Sequence, residues 1–160
     1  MRQHFNRIKT LDKNIRKTFC DMTPTKAKQA GRKVALREDW ETVKLDIMLE
    51  CVRQKFYQNP DLRDLLISTG NSLIVENTTG WRDNTWGHDF KTKTLGKNWL
   101  GLCLMTVRAE FTGNSYVEIN GTDKIIINTE TLSTYATLEG PGLWLSQMYD
   151  WLYNNGLYIG

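Results

Sequence analysis

The stretch from Asp39 to about Gln58 constrains the fold more than any other. Trp40, Val43, Ile47, Cys51, Val52 and Phe56 recur there at the three- and four-residue intervals of one helix face. Asp39 stands where a side chain can cap the first turn. The spacing predicts a long amphipathic helix with that stripe turned inward.

Other helix signals flank it. Phe5, Ile8, Leu11 or Asp12, Ile15 and Phe19 keep helical spacing and predict one amphipathic helix from Phe5 to Phe19. Thr23-Pro24 and Asn59-Pro60-Asp61 each read as a cap followed by proline at the first helical position. The first predicts a short helix from Thr25 to about Ala30, ended by Gly31. The second predicts another through Leu62, Leu65 and Leu66, stopped by Gly70. Ser72 to Glu76 is β-branched enough to be a strand. A long polar loop follows, and Leu100 to Val107 then reads as a helix apolar nearly all round, as a core helix is. Tyr116–Gly121 and Lys124–Asn128 flank an Asn-Gly turn and predict a hairpin, and Leu143–Tyr153 a last amphipathic helix after Gly140-Pro-Gly142. The expected class is α+β, predominantly helical, a compact single domain with a small β element.

Composition matters mainly through charge. The net charge of +3 conceals an asymmetry. Residues 1–37 carry eleven Lys and Arg against Asp12 and Asp21, whereas residues 109–160 carry Lys124 against six acidic side chains. A basic end attracts phosphate or nucleic acid; a solvated face that pairs with the acidic tail is the alternative. No apolar run approaches the roughly 20 residues of a membrane-spanning helix, so a cytoplasmic protein without a membrane partner is the default expectation. Cys20, Cys51 and Cys103 lack ligand spacing and read as small apolar residues, not as a disulfide framework or zinc site.

Candidate chemistry lies at several places along the chain. Leu95-Gly-Lys-Asn98-Trp-Leu-Gly101 sets two glycines around a helix N-terminus, a place that favours an anion such as phosphate. Glu76 and Asp83 are two carboxylates near one another in sequence, and paired carboxylates suit glycosidic cleavage, one protonating the leaving group while the other stabilises charge or activates water. Trp86 offers a stacking face, and His88 is an acid/base candidate without an identifiable partner. Lys9 lies among other cations; a lysine crowded by positive charge and partly desolvated becomes available as a nucleophile toward an aldehydic sugar. Arg32, after Gly31, offers a bidentate phosphate contact.

Taken together, Leu36-Arg37-Glu-Asp-Trp40-Glu-Thr-Val-Lys44, Val52-Arg53-Gln-Lys55-Phe56, Leu73-Ile-Val75-Glu76, Asp83-Asn-Thr-Trp86-Gly87 and Leu95-Gly96-Lys-Asn98-Trp-Leu100-Gly101 closely resemble the NADAR, or YbiA-like, family over roughly residues 5–111. The resemblance implies a compact, mainly helical core over residues 1–111, with residues 112–160 adding a hairpin and a helix to the same domain. It implies an N-glycosidase without metal or cofactor, acting on a phosphorylated riboflavin-pathway intermediate or removing ADP-ribose from guanine, the latter with ADP-ribosylated nucleic acid as a partner. It places Gly31, Arg32, Trp40, Glu76, Asp83, Trp86, Gly87, Asn98 and Gly101 in or near a ligand cleft. Phe5-Asn-Arg-Ile-Lys9 is similar to the family's Phe-Gln-x-x-Lys helix, which makes Lys9 the expected nucleophile and Glu76 or Asp83 the expected proton-transfer group. Two departures stand beside this: Arg2 falls where the family has a Glu, and residues 112–160 have no counterpart in the pattern, the expectation being that the predicted hairpin and its Glu130 fill the space of the family's N-terminal part. The alternative expectation is a non-catalytic module binding nucleotide, ADP-ribose or nucleic acid with an incomplete site.

Overall fold

Prolines at the first helical position place two helix starts, at Pro24 and Pro60, where the sequence puts them. The computed structural model describes residues 1–91, 96–119 and 123–127. The chain divides into two units, residues 1–59 and 60–160, each taken by itself below.

The first unit has four helices: α1 (Arg2–Ile8), α2 (Lys13–Thr18), α3 (Pro24–Gly31) and α4 (Trp40–Gln58). Thr23 accepts from the Lys26 N–H with Pro24 in the first turn, so the cap-and-proline signal holds. The single helix expected from Phe5 to Phe19 is instead two. Asp12 breaks it, because its Oδ1 accepts from the N–H groups of Asn14 (2.8 Å) and Ile15 (3.1 Å) and so begins a new helix in mid-pattern. Arg16 Nε then donates to the Thr10 carbonyl at 2.6 Å and ties α2 back to the break. Phe5 and Phe19 are buried as expected, but Leu11 and Ile15 are exposed.

Helix α1 packs on α3 and also meets α2 and α4. Its approach to α3 runs through Gly31, where an added Cβ would lie 2.1 Å from Asn6 Oδ1. Helix α4 buries Trp40, Leu45, Met48, Leu49, Cys51, Val52 and Phe56. Val43 and Ile47, expected on the stripe, are only half-buried. The expected Asp39 cap does not form, because the Arg37 guanidinium holds that carboxylate through Nε–Oδ1 (2.5 Å) and a second contact to Oδ2 (2.7 Å).

The second unit begins with α5 (Pro60–Ser68), followed by Gly70 at φ +61°. Its centre is α6 (Trp99–Thr112), in which Leu102, Cys103, Met105 and Val107 are almost wholly buried. The core-helix expectation holds. After Gly113, β1 (Tyr116–Ile119) pairs antiparallel with β2 (Asp123–Ile126), with Val117 opposite Ile125. The described chain is thus mainly helical with a small β element, as the sequence implies. The Asn120-Gly121 turn, Glu130, Gly140-Pro-Gly142 and the helix expected at Leu143–Tyr153 lie outside the described residues.

Among the described residues, the strand expected at Ser72–Glu76 is not part of a sheet. Isolated bridges join Ser72 to Glu118 and Asn77 to His88, and between them the segment's backbone groups are met by side chains of α6 and the residue before it. Arg108 donates to the Ser72 carbonyl (2.8 Å), the Ile74 N–H donates to Met105 Sδ (3.4 Å), and Asn98 takes both Ile74 and Glu76. Positions 98, 101, 105 and 108 share one helix face, which substitutes for a neighbouring strand. Of the cysteines, Cys51 and Cys103 are buried and Cys20 is exposed, so the core reading fails for Cys20. Burial pushes the Cys51 thiol up to about 11, consistent with an inert packing role.

Candidate functional site

Lys9 is the C-cap of α1, and its backbone carbonyl accepts from the Arg37 N–H at 2.7 Å. The side chain runs half-buried between two aromatic rings. Its Nζ lies 5.6 Å from the centroid of Phe5 and 5.8 Å from that of Trp40, and it donates to the Gly31 carbonyl at 3.4 Å. The two rings meet edge to face at 5.3 Å, which fixes the walls. Burial lowers the Lys9 pKa, and the Arg32 guanidinium lowers it further. Lys9, Gly31, Arg32 and Trp40 therefore do come together in the first unit. Gly31 has a packing role as well, since it admits the Asn6 side chain. Phe5, whose ring forms half of the lysine's enclosure, was missed as a site residue. Beside this, the α1–α2 and α3–α4 connections enclose a pocket of about 580 Å³ lined by Thr10–Asp12 and Ala35–Asp39.

In the second unit the described loop residues 77–91 and 96–98 are stitched to their own backbone. Asp83 Oδ1 accepts from the N–H groups of Thr85 (2.8 Å) and Trp86 (3.0 Å) and so closes a turn. The His88 N–H donates to the Glu76 carbonyl (2.9 Å), and the Thr78 N–H to the His88 carbonyl (3.0 Å). Gly87 and Gly96 sit where strands of the loop cross. A Cβ on Gly87 would lie 2.3 Å from the Glu76 oxygen, and one on Gly96 2.3 Å from the Gly87 oxygen.

Asn98 joins the loop to α6. It is fully buried at φ +51°, its Oδ1 accepts from the Glu76 N–H (2.9 Å) and its Nδ2 donates to the Ile74 carbonyl (2.9 Å). Gly101 makes that fit possible, because a Cβ there would meet the Ile74 oxygen at 2.3 Å and the Asn98 amide at 2.4 Å. The carboxylate of Glu76 takes no hydrogen bond among the described residues. Trp86 is half-buried and meets Trp99 edge-on at 5.8 Å.

Two sequence expectations need correcting here. The N-terminus of α6 is not an open anion site: the Trp99 N–H donates to the Thr85 carbonyl (3.2 Å) and the Leu100 N–H to the Trp86 carbonyl (2.9 Å), so the loop itself consumes these donors. His88 is not an exposed acid/base group. It is fully buried, its Nδ1 accepts from the Gly96 N–H at 3.0 Å, and its ring lies 4.6 Å from Phe90. Burial lowers its pKa, outweighing the opposing charge of Asp89. No helix among the described residues is long and apolar enough to cross a membrane.

The NADAR domain model matches residues 1–112. An N-glycosidase of Nostoc punctiforme is 42% identical over 90 residues, which cover 55% of this chain and 55% of that protein. N-glycosidase YbiA of Escherichia coli is 36% identical over 110 residues, 67% of this chain and 66% of that protein. The chloroplastic riboflavin biosynthesis protein PYRR of Zea mays is 35% identical over 88 residues, 55% of this chain but 14% of that protein. The NMR structure of Escherichia coli YbiA superposes with a TM-score of 0.60 at 34% identity, covering 69% of this chain and 65% of that one. The chain thus spans less than two thirds of the length of these relatives.

Proposed function

Because the chain belongs to the NADAR domain family, we propose that it is an N-glycosidase that hydrolyses the bond between a ribose phosphate, or the ribose of ADP-ribose, and an amine or nucleobase. The observation that carries the reading is Lys9, an amine half-buried between Phe5 and Trp40 and held toward its neutral form by burial and by Arg32. Relatives named N-glycosidase and a riboflavin biosynthesis protein support the class of reaction; the substrates we propose within it are a phosphorylated riboflavin-pathway intermediate or ADP-ribosylated guanine.

In this reading the neutral Lys9 amine attacks the anomeric carbon of the ribose. The carbon–nitrogen bond to the leaving group breaks, its electron pair stays on that nitrogen, and Glu76 or Asp83 supplies the proton. Water then adds to the anomeric carbon of the lysine adduct and displaces Lys9, giving the free sugar and restoring amine and acid. Within the first unit Gly31, Arg32 and Trp40 stand with Lys9 as the proposed ligand contacts; Trp86, Gly87, Asn98 and Gly101 are the contacts the family resemblance proposes from the second unit.

The test is incubation of the protein and of its Lys9→Ala variant with both substrate types while released base or amine is measured. Release by the native chain with a loss of at least about a hundredfold in the variant is expected, the scale at which proton-transfer and nucleophilic groups act. Undiminished release by Lys9→Ala removes the lysine from the mechanism. Binding without release from either substrate makes the protein a non-catalytic module.

A further inference from the structure

The turn from Thr78 to Asp83 is fastened at both ends by one residue. Thr78 is 1% exposed. Its carbonyl accepts from the N–H groups of Trp81 (3.0 Å) and Arg82 (2.9 Å), and its hydroxyl donates to the Asp83 carbonyl. Arg82 adopts φ +55° to complete the turn, a region that side chains other than glycine and asparagine avoid. Asp83 Oδ1 fixes the next turn through Thr85 and Trp86, so residues 78–86 form one braced piece. This rigid piece presents an indole that is 59% exposed and, beside it, an exposed guanidinium.

An aromatic ring that large is ordinarily put under cover, and a backbone strain of this kind is retained where something over-determines it. An indole offers a π-face to a flat heterocycle, and a guanidinium offers paired donors to a phosphate. Those two groups stand at opposite ends of a phosphorylated N-riboside. We propose that Trp81 and Arg82 are specificity-determining residues: Trp81 stacks on the heteroaromatic leaving group of the substrate, and Arg82 pairs with its phosphate. The inference rests on the N-glycosidase reading and says which parts of the substrate this loop grips. A sugar phosphate lacking a base engages Arg82 alone.

The test uses the full chain and two probes, guanosine 5′-monophosphate and ribose 5-phosphate, with binding followed by calorimetry. Trp81→Ala should weaken the nucleotide about tenfold, equivalent to about 1.4 kcal/mol of stacking, and leave the sugar phosphate unchanged, whereas Trp81→Phe retains most of the affinity. Arg82→Asn keeps a residue that tolerates the left-handed backbone and should weaken both probes. In turnover, Trp81→Ala raises KM for base release with kcat near the native value. Equal binding of both probes by all variants overturns the proposal. So does a parallel loss of both probes in Trp81→Ala with a lowered melting temperature, which assigns the indole to holding the turn. Base release by the native chain with unchanged KM in both variants overturns this pair while leaving the N-glycosidase reading standing. The predicted binding pattern without base release from either substrate supports the pair as a ligand grip and ends the glycosidase reading.

Discussion

Asn98→Ala should be among the most destabilising single changes in residues 60–160. The substitution removes two hydrogen bonds at once, from the Glu76 N–H and to the Ile74 carbonyl, both at 2.9 Å. The two backbone groups lie on a half-buried segment with no adjacent strand to receive them, so each lost bond costs about 1–1.5 kcal/mol, the lower part of the range for a stranded polar group. Alanine at φ +51° adds about 1 kcal/mol, because the left-handed region penalises a Cβ that asparagine's own polar side chain helps to tolerate. The sum is about 3–4 kcal/mol, against a typical total of about 5–15 kcal/mol. Asn98→Gly relieves the backbone cost and should lose only about 2–3 kcal/mol, which separates the dihedral from the bonds. Urea unfolding measures both. With a slope of about 1.5–2 kcal/mol per molar, the alanine variant's midpoint falls by about 2 M at unchanged slope. Gly101→Ala strikes the same contact from the helix side, since its Cβ meets both the Ile74 oxygen and the Asn98 amide, so the double variant should cost clearly less than the two singles added together. An Asn98→Ala loss below about 1 kcal/mol, or strict additivity with Gly101→Ala, refutes the idea that this face of α6 replaces a strand.

The remaining predictions concern titration. The folded-state pKa of Lys9 lies below its unfolded value, so between the two the unfolded chain binds the extra proton and stability climbs with pH; Lys9→Met lacks this climb and is the more stable protein at neutral pH, as denaturant midpoints across pH 7–10 would read. The same lowered pKa predicts base release that rises with pH to a plateau reached before an ordinary lysine would be half deprotonated; a rate flat from pH 6 to 10 removes Lys9 as the titrating nucleophile. His88 is likewise lowered, so stability is present above its unfolded pKa near 6.5 and is lost as pH falls through the folded value; the stability advantage of the native chain over His88→Asn should shrink between pH 7 and pH 5.

What the sequence made legible was what local chemistry decides. Thr23 fixes one helix start by capping a backbone N–H three residues on and Pro60 opens another, while α4 follows from apolar spacing and α6 from near-continuous apolarity. The break at Asp12 was hidden because Phe5, Ile8, Ile15 and Phe19 keep one helical period across it; the clue was a capping residue inside the pattern, and its two hydrogen bonds outweighed the continuity. Ser72–Glu76 has strand propensity but no strand partner among the described residues, and no property of those five residues reveals that their hydrogen bonds end on Asn98, Met105 and Arg108. Among the site residues, the grouping of Lys9, Gly31, Arg32 and Trp40 came from the family resemblance. Phe5 stands in both the helical pattern and the family's Phe-x-x-x-Lys motif, yet its part in enclosing the lysine is not legible there, since a phenylalanine at helical spacing reads first as core.

The residues carried over for the second unit therefore differ in kind. Asn98, Gly87 and Gly101 meet backbone: they set where Ile74 to Glu76 and the loop must lie, and their replacement acts through shape. Glu76 has a side chain that takes no hydrogen bond among the described residues, so replacing it alters chemistry offered outward rather than the frame. Asp83 belongs to both groups, because the carboxylate that would donate a proton is the one that closes the Thr85–Trp86 turn. Asparagine at 83 can keep the turn through its amide oxygen while removing the acid, whereas alanine removes both. Frame and chemistry are thus separable at each of these positions by the choice of side chain. Asn98 and the His88 backbone make the separation possible: the Asn98 amide oxygen holds the N–H of Glu76 and the His88 N–H holds its carbonyl, both independently of the Glu76 carboxylate, so the backbone stays in position while the acid is varied.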